Sequence, residues 1–203
     1  MSIPFQDSET AKNLLRAFAG ESQARNRYDF AANLCQKQEL QAMAFIFQAT
    51  AKQEQAHAKV FWDHLQALNG QNLPIYGAYP IEGTNRILEL LRAAQHNEHE
   101  EHGSVYPSFA AIATQEGFPE AAASFRQIAA IEQFHGERFG LLADQLESGA
   151  LFVSQIETGW MCLNCGHTQN SLEAPKQCPV CNHGQGWFIR LELAPWSPVV
   201  KQT

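Results

Sequence analysis

Long apolar runs are missing from this 203-residue chain. No segment approaches the ~20 consecutive apolar residues that span a bilayer, so a helical membrane protein is excluded. Positive charge is scarce as well: 14 Lys and Arg stand against 21 Asp and Glu, a formal net charge of −7. A net acidic chain has no general footprint for phosphate backbones, and nucleic acid is not an expected partner. The opening Met1-Ser2-Ile3-Pro4-Phe5-Gln6-Asp7 lacks the basic and apolar regions of a secretory leader, which predicts a cytoplasmic protein. No Gly-x-Gly-x-x-Gly occurs, so no nicotinamide cofactor is expected to bind here. Cysteine is scarce in the first 150 residues, where Cys35 stands alone, and alanine is scarce in the last 53, which hold two of 28.

These uneven distributions divide the chain into residues 1–150 and 157–203, with the break near Gly149–Gly159. The first part is rich in helix formers and reads as four long helices. The first runs from Thr10, the expected N-cap, to about Gln38, with Leu14, Phe18, Arg25 and Tyr28 at helical spacing. A second runs from Leu40 to Asn69 and stops at Gly70. The third spans Thr84 or Asn85 to Gly117 with a kink at Pro107, and the fourth runs from Pro119 to Gly149. Between the second and third, Gln71 to Gly83 is too long for a tight hairpin and suits a crossover along a bundle.

Shifted by 78 residues, Phe47–Phe61 falls on Phe125–Phe139. Phe47/Phe125, Ala51/Ala129, Glu54/Glu132, Gln55/Gln133, His57/His135 and Phe61/Phe139 are identical pairs. Packing explains a repeated phenylalanine; a repeated Glu-x-x-His asks for chemistry. Glu54 lies on the apolar stripe Phe47, Ala51, Ala58, Phe61, and Glu132 and His135 lie among Phe125, Ile128, Phe139 and Leu142. An i, i+3 pair leaves one side of a helix, so Glu and His can grip one ion. Glu21 likewise interrupts the first helix's stripe, and Glu98 and Glu101 sit between Leu91 and Val105 on the third. Inward carboxylates without cations carry a desolvation cost that no small domain offsets. A Glu from each of two helices with Glu-x-x-His from the other two is the ligand pattern of ferritin-like dinuclear proteins. The carboxylate-rich set favours iron or manganese over copper, and ligand type alone leaves zinc open.

Cys162-x-x-Cys165 and Cys178-x-x-Cys181 lie 12 residues apart, the arrangement of a four-thiolate metal site rather than two disulfides in a chain without an export signal. Four thiolates suit iron or zinc, and zinc ribbons are a common use of this spacing. A tail this small relies on the metal to fold.

Taken together, Ala19-Gly20-Glu21 with Arg25 and Tyr28, Glu54-x-x-His57, Glu98-x-x-Glu101 with Tyr106-Pro107, Glu132-Gln133-Phe134-His135, and the tail's Cys162-x-x-Cys165-Gly166 and Cys178-Pro179-Val180-Cys181 resemble the rubrerythrins over nearly the full length. The resemblance implies a mainly α protein: a ferritin-like di-iron four-helix bundle with a crossover connection, and a small C-terminal rubredoxin-like domain whose four cysteines hold iron. It implies a peroxidase for oxidative stress defence that reduces hydrogen peroxide to water. Electrons would enter through the tail iron from a separate NAD(P)H-dependent reductase or carrier, in a homodimer at least. Glu54 and Glu98 would bridge the irons, with Glu21 terminal on one and Glu132 and His135 on the other. Glu101 and His57 would exchange at one iron with its oxidation state, and Tyr28 and Tyr106 would hydrogen-bond ligand carboxylates. An iron oxidase or oxygen reductase, and a scaffold bundle with a structural zinc ribbon, are the alternatives. The resemblance departs after the fourth cysteine, where Asn182 replaces the usual glycine of rubredoxins; Asn tolerates left-handed backbone, so the turn is expected to persist. His96, His99 and His102 read as solvated or boundary positions, Cys35 as an inert thiol, Phe61, Trp62 and Phe134 as core, and Arg25 as a partner for an acidic neighbour.

Overall fold

A computed structural model describes residues 3–195. Five α-helices precede a small antiparallel sheet: α1 Glu9–Lys37, α2 Gln41–His64, α3 Ile87–Glu100, α4 Tyr106–Glu116 and α5 Pro119–Glu147, then β1 Val153–Cys162, β2 Thr168–Glu173 and β3 Phe188–Arg190. Ser8, not Thr10, caps α1: its hydroxyl accepts from the Ala11 N–H at 3.1 Å and donates to the Phe5 carbonyl. The Thr10 hydroxyl instead donates to Glu116 at the end of α4. The α2 helix ends at His64, with a 3-10 turn over Leu65–Leu68 ahead of Gly70, whose φ of +79° turns the chain into the crossover.

The expected third helix is two helices joined by a π turn over Glu101–Val105. Pro107 therefore sits in the first turn of α4, where its missing N–H breaks no regular helical bond, and no proline kink is required. The widened turn also has a use. Over the eight residues from Glu98 to Tyr106 a regular helix would leave the two side chains about 80° apart. Wider winding turns through less, and both end up buried in the bundle interior.

Helices α1 and α2 form one hairpin, and α3, α4 and α5 the other. The repeat pairs antiparallel across the interior: Phe47 stacks on Phe139 at 5.0 Å and Phe61 lies against Phe125 at 5.1 Å. These aromatics anchor two separate apolar clusters, one with Tyr28, Phe47, Leu91 and Phe139, the other with Leu14, Phe61, Tyr106 and Phe125. The repeated Glu and His lie between them along both helices, so the bundle is two cores separated by a polar layer. Trp62 and Phe134, read as core, are 45% and 61% exposed. Each neighbours an inward residue, Phe61 or His135, and one step along a helix turns a side chain about 100° away.

The sheet runs β2-β1-β3, with β1 beginning at Val153, ahead of residue 157. The tail packs on the α1–α2 end of the bundle, where Met161 and Ile189 join the cluster of Met43 and Phe47. The expected tail segment beyond Pro195 lies outside the described residues. No described helix is long and apolar enough to cross a membrane.

Candidate metal centres

The polar layer gathers side chains from four helices. Glu21 from α1, Glu54 and His57 from α2, Glu98 from α3, and Glu132 and His135 from α5 are all buried. They form two groups whose potential ligand atoms lie within 4.8 Å of one another: Glu21, Glu54, His57 and Glu132, and Glu54, Glu98, Glu132 and His135. The antiparallel repeat crosses the motifs. His57 Nδ1 lies 2.9 Å from Glu132 Oε1 and 3.1 Å from its own Glu54, while His135 Nδ1 lies 2.7 Å from Glu132 and 3.0 Å from Glu54. Glu54 and Glu132 are thus the pair common to both groups. Glu98 falls in one group, 3.6 Å from His135, and Glu101, at the start of the π turn, is half-buried and falls in neither.

Two tyrosines tie the carboxylates to the apolar clusters. Tyr28 donates to Glu98 and Tyr106 to Glu21 through short hydrogen bonds, and both phenols are buried and raised well above their usual pKa, first by burial and then by neighbouring carboxylates. Burial, reinforced by Glu54, also lifts Glu21 and Glu98 well above the usual carboxylate range, and burial with Glu132 and Glu54 lifts Glu101 to about 8. Burial would raise Glu54 too, yet hydrogen bonds from His135 and His57 outweigh it and hold Glu54 at about 2. Burial alone would depress His135; Glu132, Glu54 and Glu98 raise it to about 11, and His57 is raised likewise.

This donor set fits cations. Glu21 Oε2, Glu54 Oε1, Glu98 Oε2 and both Glu132 oxygens are buried acceptors with no well-aligned donor; the Nδ1 atoms of His57 and His135 approach them, and four buried carboxylates against two imidazoles call for further positive charge. His135 Nε2 lies 3.0 Å from the Gln53 amide oxygen, which can only accept. The Nε2 proton is thereby fixed and Nδ1 faces the carboxylates, as a hydrogen bond on the far ring nitrogen orients metal-ligating histidines. Carboxylate oxygens with one imidazole per group suit hard or borderline divalent ions.

The four tail cysteines also converge, Cys162 Sγ lying 3.7 Å from Cys181 and Cys165 3.7 Å from Cys178. Disulfide sulfurs would lie about 2.0 Å apart. A tetrahedron with ~2.3 Å metal–sulfur bonds has edges of about 3.8 Å, so the thiols are spaced for one ion. The two knuckles are copies of each other: Gly166 N–H bonds Cys162 O and Asn182 N–H bonds Cys178 O, while the Cys162 and Cys178 amides bond the carbonyls of His167 and His183. Gly166 at φ +76° and Asn182 at φ +61° occupy equivalent left-handed turns, so asparagine keeps the turn. Backbone bonding from His183 draws the Cys181 thiol down to about 5, whereas burial raises Cys162 to about 12.

Of the remaining candidates, His96 and His99 are exposed, and half-buried His102 bonds the Ala129 carbonyl through Nδ1. Cys35 is fully buried, its thiol pushed up to about 12 by desolvation. Arg25 is exposed; two residues on, Arg27 lies 3.4 Å from Glu82 of the crossover. Neither Arg27 nor Gln53 was legible in advance. Gln53 only adjoins Glu54 in sequence, and the partner of Arg27 lies across a connection without periodicity.

A bundle with two carboxylate–imidazole groups, joined to a four-cysteine tail, defines a ferritin-like metal protein with a rubredoxin-like appendage. The rubrerythrin family profile matches residues 12–143, and the profile of the rubrerythrin rubredoxin-like domain matches residues 160–189. The chain belongs to the rubrerythrin family. It is 44% identical to a rubrerythrin of Porphyromonas gingivalis over 188 residues, covering 93% of this chain and 92% of that one. A rubrerythrin of Nitratidesulfovibrio vulgaris is 40% identical over 186 residues, covering 92% and 96%. Among solved structures, fully reduced, all-ferrous nigerythrin superposes with a TM-score of 0.61 at 25% identity, over 94% of this chain and 88% of that one.

Proposed function

We propose that the chain is a cytoplasmic peroxidase that reduces hydrogen peroxide to water in oxidative stress defence. Two irons would be held by Glu21, Glu54, His57, Glu98, Glu101, Glu132 and His135, and a third by Cys162, Cys165, Cys178 and Cys181. Paired ferrous ions supply two electrons to an O–O bond and stabilise the oxygen anions that form. The observation that supports this reading is the sharing of Glu54 and Glu132 by both buried groups, an arrangement that would suit two cations side by side. Tyr28 and Tyr106 would hold Glu98 and Glu21 in place through their hydroxyls. Half-buried Glu101 lies outside both groups here and would exchange with His57 at one ion.

The tail supports an electron-entry role through the exposure of Cys165 in one knuckle and of Val180, next to Cys181, in the other. It sits at the α1–α2 end, where Gly186 meets the Glu39 carbonyl. At 1.5 Å per residue, Glu54 lies ~20 Å along the bundle from that end. Electron tunnelling through protein decays steeply with distance, so a homodimer that brings one chain's tail to the other's bundle suits the geometry better than transfer within one chain. A separate NAD(P)H-dependent reductase or carrier would supply the tail. Stopped-flow mixing of anaerobically reduced protein with hydrogen peroxide or dioxygen tests the reading. Faster reoxidation by peroxide is expected; faster reoxidation by dioxygen would favour an oxidase.

A further inference from the structure

Beside Glu101 lies a half-open cavity of about 310 Å³, lined by α1, the end of α3, the π turn, the start of α4 and the crossover. Glu101, Asn97, Glu100 and Arg16 supply its polar groups, and the rest of its lining is mainly apolar, with Ala17, Val105, Phe109 and the rings of Tyr79 and Tyr106. The wall is built rather than draped. The Tyr79 hydroxyl donates to the Arg16 carbonyl at 2.9 Å, and Arg16 Nε donates to the Tyr76 carbonyl at 2.8 Å. Further along, Glu82 of the crossover accepts from Asn97 and pairs with Arg27. A β-carbon on Gly77 would lie 3.0 Å from the Tyr79 ring, so glycine there lets the ring lie close, whereas one on Gly20 would make an ordinary 3.5 Å contact with it.

Hydrogen peroxide is small, polar and well hydrated, and it gains nothing from an apolar chamber. The volume falls at the low end of the ~300–1,000 Å³ range of small-molecule sites, and an apolar lining with a few convergent polar groups is their usual composition. We infer that this cavity is a second-substrate chamber for small alkyl hydroperoxides, its Tyr79–Val105–Phe109 wall taking the alkyl group so that the hydroperoxy group faces Glu101 in the same lining. The inference rests on the peroxidase reading. Reduction breaks the O–O bond and forms two O–H bonds, giving an alcohol and water. With iron bound, the two electrons would be supplied one each by two ferrous ions, leaving both ferric, and the two protons would come from solvent.

Two measurements on the full chain test the inference. Saturation-transfer NMR of the zinc-loaded protein with tert-butanol, the unreactive product alcohol, is expected to show methyl contact in the wild type and its loss in Val105→Trp, which fills the cavity. In the iron-loaded protein, the kcat/KM ratio of tert-butyl hydroperoxide to hydrogen peroxide is expected to fall at least ~10-fold in Val105→Trp, the scale of discrimination by apolar pockets. Tyr79→Ala removes the outer wall from a half-buried position and should lower the same ratio if Val105→Trp does not fold. A wild type that gives no tert-butanol contact, a ratio unchanged in both variants, or a wild type that reduces hydrogen peroxide but not tert-butyl hydroperoxide would overturn the chamber alone. Failure of hydrogen peroxide itself would remove the peroxidase reading and the chamber with it.

Discussion

Gly186 of the tail lies so close to the carbonyl of Glu39, in the α1–α2 turn, that a β-carbon on it would sit 1.7 Å from that oxygen. Glu39 itself has a left-handed φ of +59°. The tail's seat on the bundle therefore depends on a residue with no side chain. Gly186→Ala should force the two parts apart and cost about 1–3 kcal/mol of docking, as overpacking does. A lower midpoint in thermal unfolding and faster proteolysis at residues 148–152 would register it, with the tail's thiolate absorption unchanged.

Tyr106→Phe and Tyr28→Phe remove the hydroxyl donors to Glu21 Oε1 and Glu98 Oε1. Loss of a second-shell partner typically weakens metal binding about 10–100-fold. Both variants should release bundle metal to a chelator faster than the wild type, while the tail's metal leaves at an unchanged rate.

Removal of the bundle metals should reverse the pH dependence of stability. Glu101, at about 8, and Glu21 and Glu98, also raised, keep protons in the folded state that the unfolded chain releases near 4.5. Raised His57 and His135 act in the same sense above their unfolded pKa of 6.5. The folded state then binds more protons than the unfolded one, and stability falls as pH rises from 5 to 8. Metal binding displaces those protons and strengthens with pH. Thermal midpoints across this range should fall for chelated protein and hold or rise for loaded protein.

Asn182 bears on the second knuckle. With φ at +61°, Asn182→Gly should be neutral or stabilising, and Asn182→Ala should cost about 1–2 kcal/mol. Loss of thiolate absorption on heating measures both.

Much of the bundle could be read from pattern alone, because a 78-residue repeat carried Glu-x-x-His on apolar faces. The pairing of that repeat could not. Periodicity places Glu54 and Glu132 inward but does not say that antiparallel crossing sets each histidine against the other motif's glutamate and makes these two the shared pair. The π turn escaped for a similar reason: Pro107 signals a disturbed ladder without saying whether the helix kinks or widens. Trp62 and Phe134 misled because large aromatics adjoining inward residues are the ones composition assigns inside. The crossover, with no period to read, hid the Tyr79 wall and the Arg27–Glu82 pair.

Metal analysis of anaerobically purified wild type beside Glu54→Ala tests the two-plus-one metal arrangement most directly, since Glu54 belongs to both bundle groups and to nothing in the tail. The expected result is three irons per chain in the wild type, and in the variant a loss confined to the bundle, with the tail's visible thiolate band intact. Equal iron content in the two proteins would contradict the arrangement.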